Sequence, residues 1–411
     1  MRTIIKNIKE LVQIRDNHID RIIGKDMKVL PTIKNAYLII KNDIITDFGL
    51  MKDLNHLDFD KEIDATGKLV LPSWCDSHTH IVYAGNRESE FVDRINGLTY
   101  EEIALKGGGI LNSAKNLQDT SEDELFVQAS VRIEEIIQSG TGAVEIKSGY
   151  GLEIGAEIKM LRVINRLAHK FPIAFKSTFL GAHAFPESFK NKKEEYVKKI
   201  CEEMIPQIVQ HDLAEFIDVF CEKNYFTVEQ METILETGKK YGLIPKIHVN
   251  QFNSIGGVES GVKHNALSVD HLEIMTAEDI AVLKDSKTMP VALPACSFFL
   301  GIPYTPARKM IDQGLPLALA TDFNPGSSPT GNMHFVVASA CIKMNMTPEE
   351  AINAATMNGA YAMNLSHSHG SISIGKKANL IITKPIPSYH FIPYAFGSNL
   401  IDQIILNGNV Y

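Results

Sequence analysis

The segment Cys75-Asp76-Ser77-His78-Thr79-His80 places two imidazoles at i and i+2. Such a pair cannot share one face of a helix, but it lies on one face of a strand. The pair closely follows the apolar run Lys68-Leu69-Val70-Leu71. Two imidazoles at the end of a strand can hold one metal ion, and such an ion makes water a nucleophile at neutral pH. Alone the motif is weak, because histidines also sit hydrogen-bonded in cores.

Further groups of the same chemistry recur along the chain. His183, His248, His271 and Asp322 each come at or just after the end of a short apolar run. Three neutral imidazoles and one carboxylate suit zinc or ferrous iron with room for a water. The set that fits is His78, His80, His248 and Asp322. His183 and His271 then remain for substrate binding and proton transfer. His18, His56, His169, His211, His264, His367, His369 and His390 lie in polar or terminal stretches and are given no role.

These side chains need elements that bring them to one place. The runs Ala143–Lys147, Phe175–Leu180, Phe216–Phe220, Ile244–Val249, Ala266–His271, Met289–Pro294 and Leu317–Asp322 read as buried strands, with an eighth ending at His78. Amphipathic stretches at 122–139, 157–169, 192–211, 228–241 and 277–283 alternate with them. Alternating strand and helix over about 300 residues predicts a parallel sheet, and eight units predict a distorted (β/α)8 TIM barrel. The polar groups at its strand ends are, in order, His78/His80, Tyr150, His183, Glu222, His248, His271, Cys296 and Asp322. Active sites in such barrels lie on that rim. No GxGxxG opens the first unit, which argues against a doubly wound dinucleotide fold. Gly107-Gly108-Gly109 reads as a flexible loop, not a phosphate cradle.

Both ends of the chain read as short strands and turns, such as Ala36–Ile40, Ile44–Gly49, Ile372–Ile374 and Ile401–Leu406. They predict a small β-sandwich domain from residues 1–68 plus 371–411, flanking a barrel domain at 69–370. The 411 residues suffice for both. A formal net charge of -8 argues against nucleic acid or an anionic membrane as partner. The five cysteines are odd in number and form no CxxC, which predicts reduced thiols and no disulfide framework. No apolar run reaches the roughly 18 residues of a membrane span. The expected location is the cytoplasm.

The chain resembles the amidohydrolase superfamily in His78-Thr79-His80, His248, His271 and Asp322 at successive strand ends. A finer match is to the imidazolonepropionase family. It is carried by Gly85–Phe91, Lys106–Ile110, Glu145–Leu152, Thr178–Ala184, Asp218–Glu222, Asp270–Glu273 and Ala320–Ser328. Lys147-Ser148-Gly149-Tyr150-Gly151 and Asp322-Phe323-Asn324-Pro325-Gly326-Ser327 are its more specific parts. The resemblance implies one zinc or iron ion per chain. Binuclear relatives carry a carboxylated lysine at the fourth strand end. The run Thr178–His183, taken as that end, has none, and Lys147, assigned to the third unit, reads as a structural or pocket lysine.

The resemblance also implies the reaction: hydrolysis of a ring C–N amide bond of 4-imidazolone-5-propanoate to N-formimidoyl-L-glutamate, in histidine degradation. Arg87 is expected to bind the propanoate bidentately. Tyr150 and His183 would bind the ring, and Asn324, Gly326 and Ser327 form a turn able to aim N–H groups at a carboxylate. Water activated by the metal attacks the ring carbonyl, with His271 and Asp322 as candidate proton carriers and His183 or the metal steadying the oxyanion. Gln251 stands where some members have glutamate, so it can orient by hydrogen bonds but not act as a base. Ser73 stands where glycine is common, an effect expected to stay in the local turn. The alternatives are a deaminase of the same fold, opposed by Arg87 and the turn after Asp322, and a non-catalytic barrel, opposed by the four ligands. A homodimer is the expected assembly.

Overall fold

The structure, a computed structural model, describes residues 1–411 except 17, 56–57, 99–101, 103–105 and 107. His56 and Gly107 lie outside the described residues. Eight parallel strands follow one another in chain order around a barrel. They are Trp74–Thr79, Thr141–Lys147, Ala174–Ala182, Phe216–Cys221, Ile244–Val249, Ser268–His271, Met289–Ala292 and Ala318–Leu319. Strand 1 meets the segment after strand 8 directly. Thr79 bridges Phe323, the His80 amide donates to the Phe323 carbonyl at 2.9 Å, and the Asp322 amide donates to the His78 carbonyl at 3.0 Å. The barrel therefore closes at the metal-ligand candidates.

The expected strands form because their runs are predominantly apolar, as a parallel sheet covered by helices requires, with Glu145, Lys147, Asp218, Lys246 and Asp270 as buried charged exceptions. One count is corrected. The strand Ala174–Ala182 is the third, not the fourth, and Lys147 ends the second. The fourth, Phe216–Cys221, leads into the buried Glu222, and the lysine that follows, Lys223, is exposed.

The helices start where sequence chemistry allows. Thr227 and Thr276 form capping boxes with Gln230 and Asp279, each side chain satisfying the other residue's amide. The long third segment, 193–210, is helical throughout but widens to a π turn at Ile200–Met204.

Strands from both termini form a second sheet. Arg2–Val12 pairs antiparallel with Thr32–Lys41 and parallel with Lys61–Asp64 and Leu69–Pro72. Leu380–Thr383 pairs antiparallel with Leu69–Pro72 and with Ile401–Leu406. Ile5, Ile8, Leu11, Leu38, Ile45, Val70, Leu380 and Ile405 bury a core of their own there. From Pro72 the chain passes straight into barrel strand 1 through Ser73. The Ser73 Oγ lies where a Cβ on residue 142 would stand, 2.0 Å away, so Gly142 makes room for it.

Candidate active site

The strand ends bring His78, His80, His248 and Asp322 together. His248 Nε2 lies 3.3 Å from His80 Nε2. Asp322 Oδ1 lies 3.5 Å from His78 Nε2 and 3.6 Å from His80 Nε2. A tetrahedral ion with bonds of about 2.0–2.2 Å has ligand–ligand edges of roughly 3.3–3.6 Å. These three edges match that spacing. His78, His80 and Asp322 have ligand atoms all within 4.8 Å of one another, His248 adjoins them through His80, and His78 Nε2 is buried with no hydrogen-bond partner among the described residues. All four side chains are almost fully buried.

Carboxylates behind two of the imidazoles set their tautomers. His78 Nδ1 is 2.7 Å from Asp270 Oδ2, and His248 Nδ1 is 3.0 Å from Asp218 Oδ2. His78 Nδ1 therefore carries the proton and its Nε2 keeps a lone pair toward the cluster, and the nearby Asp218 carboxylate favours the same tautomer of His248. Asp218 Oδ1 also accepts the His248 amide at 3.1 Å. One layer deeper, Lys147 Nζ lies 2.8 Å from Asp218, 2.6 Å from Glu145 and 3.6 Å from Asp270. Lys246 pairs with Glu145 as well. Lys147 is fully buried and its ammonium is taken up by these three carboxylates, which makes its role structural.

Burial keeps the imidazoles neutral, as metal ligation requires. It drives His78 and His80 well below 6.5 and holds His248 at about 3 and His183 at about 4. Burial pushes Asp322 and Asp270 up to about 6. Burial also opposes charge on His271, but Glu273, Asp322 and Asp270 outweigh it and raise His271 above its ordinary value. The backbone is strained here. His271 has φ +89°, Leu272 +66° and Asp322 +54°, conformations that cost of order 1–3 kcal/mol each in non-glycine residues.

The other expected residues surround this cluster. His183 stacks on His80 at 5.2 Å between centroids, and Tyr150 lies 5.4 Å from His183. His183 Nδ1 donates to the Gly149 carbonyl at 2.9 Å. Its Nε2 is thus an acceptor, which corrects the expectation that neutral His183 steadies an oxyanion. Gln251 Nε2 donates to Cys296 Sγ at 3.5 Å. Its loop is pinned by Glu222, which accepts the Phe252 and Asn253 amides at 2.9 and 3.2 Å.

The turn after Asp322 differs from expectation. The Gly326 and Ser327 amides both donate to Asn324 Oδ1 at 2.8 Å, so they point inward and not at a ligand. Ser327 Oγ instead donates to Asp322 Oδ2 at 3.2 Å. Gly326 matters for another reason. A Cβ there would stand 2.1 Å from Arg87 Nη1, so only glycine lets the guanidinium lie on the turn. The Arg87 charge also reaches His183.

Sequence reading missed Asp218 and Asp270 as supports of the histidines. Their signal was a carboxylate inside an apolar strand, which must find a partner when buried. It also missed Cys296 as the partner of Gln251.

The Amidohydrolase family pattern matches residues 69–411. The chain is 66% identical over 410 residues to the imidazolonepropionase of Flavobacterium johnsoniae, covering 100% of both chains. It is 41% identical to the imidazolonepropionase of Clostridium tetani, covering 99% of this chain and 97% of that one. Escherichia coli guanine deaminase shares the fold, with TM-score 0.76 at 14% identity over 100% of this chain and 99% of that one.

Proposed function

The chain belongs to the amidohydrolase family and, within it, to the imidazolonepropionases; on that premise we propose that it hydrolyses 4-imidazolone-5-propanoate to N-formimidoyl-L-glutamate. The observation that carries the reading is the convergence of His78, His80 and His248 with Asp322 at one barrel rim, linked by three edges of 3.3–3.6 Å: His248–His80, His78–Asp322 and His80–Asp322. In this reading those four residues hold one zinc or iron ion. When bound, the ion supplies Lewis acidity and activates water.

The chain's own groups do the rest. Water oxygen joins the ring carbonyl carbon, the bond from that carbon to the ring nitrogen breaks, and the nitrogen takes a proton. Asp322, with Oδ1 facing the imidazoles and Oδ2 accepting from Ser327, is placed to accept the water proton. His271 sits beside it, biased toward imidazolium by Glu273 and Asp322. It can donate to the developing oxyanion or pass a proton to the leaving nitrogen. His183 Nε2 accepts from a ring N–H, and Tyr150 flanks the ring. Arg87 pairs with the propanoate, and Gln251 orients the substrate by hydrogen bonding. Asn324, Gly326 and Ser327 shape the wall on which Arg87 lies.

The same reading treats residues 1–68 with 371–411 as a β domain and 69–370 as the hydrolase domain. It places the enzyme in the cytoplasm, supported by five free cysteines. Among the described residues no helix is long and apolar enough to cross a membrane. A homodimer is the assembly this reading expects.

The test is to incubate metal-loaded protein with imidazolonepropanoate and identify the product by mass spectrometry. N-formimidoyl-L-glutamate formed at enzymatic rates supports the proposal. Unchanged substrate at full metal loading rejects it.

A further inference from the structure

Glu90 lies on the helix Glu88–Ile95, which starts directly after Arg87. It is only 8% exposed, and a carboxylate buried to that degree has to be paired. Both of its oxygens are engaged. Oε2 accepts from Arg87 Nε at 2.9 Å and from Arg87 Nη2 at 2.5 Å. Oε1 accepts the Gly109 amide at 3.0 Å. Gly109, at φ +85°, begins the helix Ile110–Asp119. One carboxylate therefore joins the arginine to the chain segment that follows this helix.

The guanidinium is gripped from two sides. Glu90 holds its Nε–Nη2 edge, and Nη1 lies against Gly326 on the turn after Asp322. Arg94, one turn further along the same helix, donates to the Gly326 carbonyl at 3.2 Å. A planar fork fixed along its side edge presents its end edge, Nη1–Nη2, in one orientation. Fixing a binding group before the ligand arrives cuts the entropy lost on binding.

We propose that Glu90 is a positioning residue for carboxylate recognition, aiming Arg87 at the substrate's propanoate without touching the substrate. The inference rests on the reading that Arg87 binds that propanoate. It has a specific consequence. With Glu90 beside it, the arginine is a weak long-range attractor of anions but a well-aimed fork. Selection is then for a planar carboxylate at one distance from the ring, more than for negative charge in general.

The test compares kcat/KM for imidazolonepropanoate with that for the 5-ethyl imidazolone, which lacks the carboxylate. Their ratio in the metal-loaded enzyme is the selectivity. In Glu90→Gln the selectivity should fall at least about tenfold, the scale of one lost charge-assisted hydrogen bond. The fall should lie in KM for the propanoate, with kcat near wild type and the ethyl compound unaffected. Glu90→Asp, which keeps the charge but cannot span both partners, should shift selectivity in the same direction and serves if the glutamine variant folds poorly. Arg87→Ala should bring the selectivity close to one. If Arg87→Ala leaves it at the wild-type value, the reading of Arg87 itself is wrong. If Arg87→Ala removes it while both Glu90 variants keep it, or lose rate equally on both compounds, the proposal for Glu90 is overturned.

Discussion

Lys147 sets its ammonium 2.8 Å from Asp218, the carboxylate that backs the imidazole of His248. The same ammonium is 3.6 Å from Asp270, which backs His78. This buried ammonium thus links the two carboxylates that orient two metal-ligand candidates, with the buried Lys246 also acting on Asp270. Partners in this position typically change metal affinity by about 10–100-fold. Asp218→Asn should keep the fold and weaken zinc binding by about that factor, read by competition with a chromophoric chelator. Lys147→Met should cost roughly 3–5 kcal/mol of stability, because it strands buried charges. Unchanged zinc affinity in Asp218→Asn would contradict the role given to that carboxylate.

Asp322 carries two functions in this account, ligation and proton acceptance, and Ser327 holds its second oxygen at 3.2 Å. Asp322→Asn keeps the shape but removes both. It should fold with a wild-type circular dichroism spectrum and show no turnover above background. Retained activity would remove Asp322 from the mechanism.

Arg87→Ala should raise KM for the propanoate substrate by about 30- to 900-fold, from roughly 2–4 kcal/mol for a lost carboxylate pair. Gly326→Ala should act in the same direction with the fold intact, because its Cβ would stand 2.1 Å from Arg87 Nη1. Steady-state kinetics on both variants measures this. A wild-type KM in Gly326→Ala would mean the guanidinium has room to move.

Metal binding should depend on pH through carboxylates and not through imidazoles. Burial lowers His78 and His80 well below 6.5 and His248 to about 3, so the imidazoles stay neutral and competent through the mildly acidic range. Burial raises Asp322 and Asp270 to about 6, so protons on them compete with metal below that pH. Zinc affinity should therefore be flat above pH 7 and fall below about pH 6, with one or two protons released per ion. Calorimetry in buffers of different ionisation enthalpy counts those protons. Release of three protons at pH 6.5 would show that the histidines are charged in the metal-free protein.

Much of this site is legible in the chain. Apolar runs such as Ile244–Val249 and Ser268–His271 announce strands, and polar groups at their C-terminal ends announce the rim. The supports are harder to see. Asp218 sits within Phe216–Cys221 and Asp270 within Ser268–His271, where nothing local says which histidine each will meet. Their partners come from strands more than a hundred residues away or from the neighbouring strand, and only closure of the barrel sets the pairing. Glu90 is hidden differently. Its link to Arg87 is local, but its link to Gly109 crosses a segment that no periodicity defines. The turn after Asp322 misled for a third reason: Asn324 can fold back onto the amides of Gly326 and Ser327, and composition does not say which acceptor they choose.

The most direct test is to strip the protein of metal and titrate zinc or iron back while following loss of imidazolonepropanoate absorbance. The account predicts no turnover without metal, a linear rise to a break at one ion per chain, and N-formimidoyl-L-glutamate as product. Turnover that survives chelation, or a fully loaded protein that leaves imidazolonepropanoate intact, would contradict it.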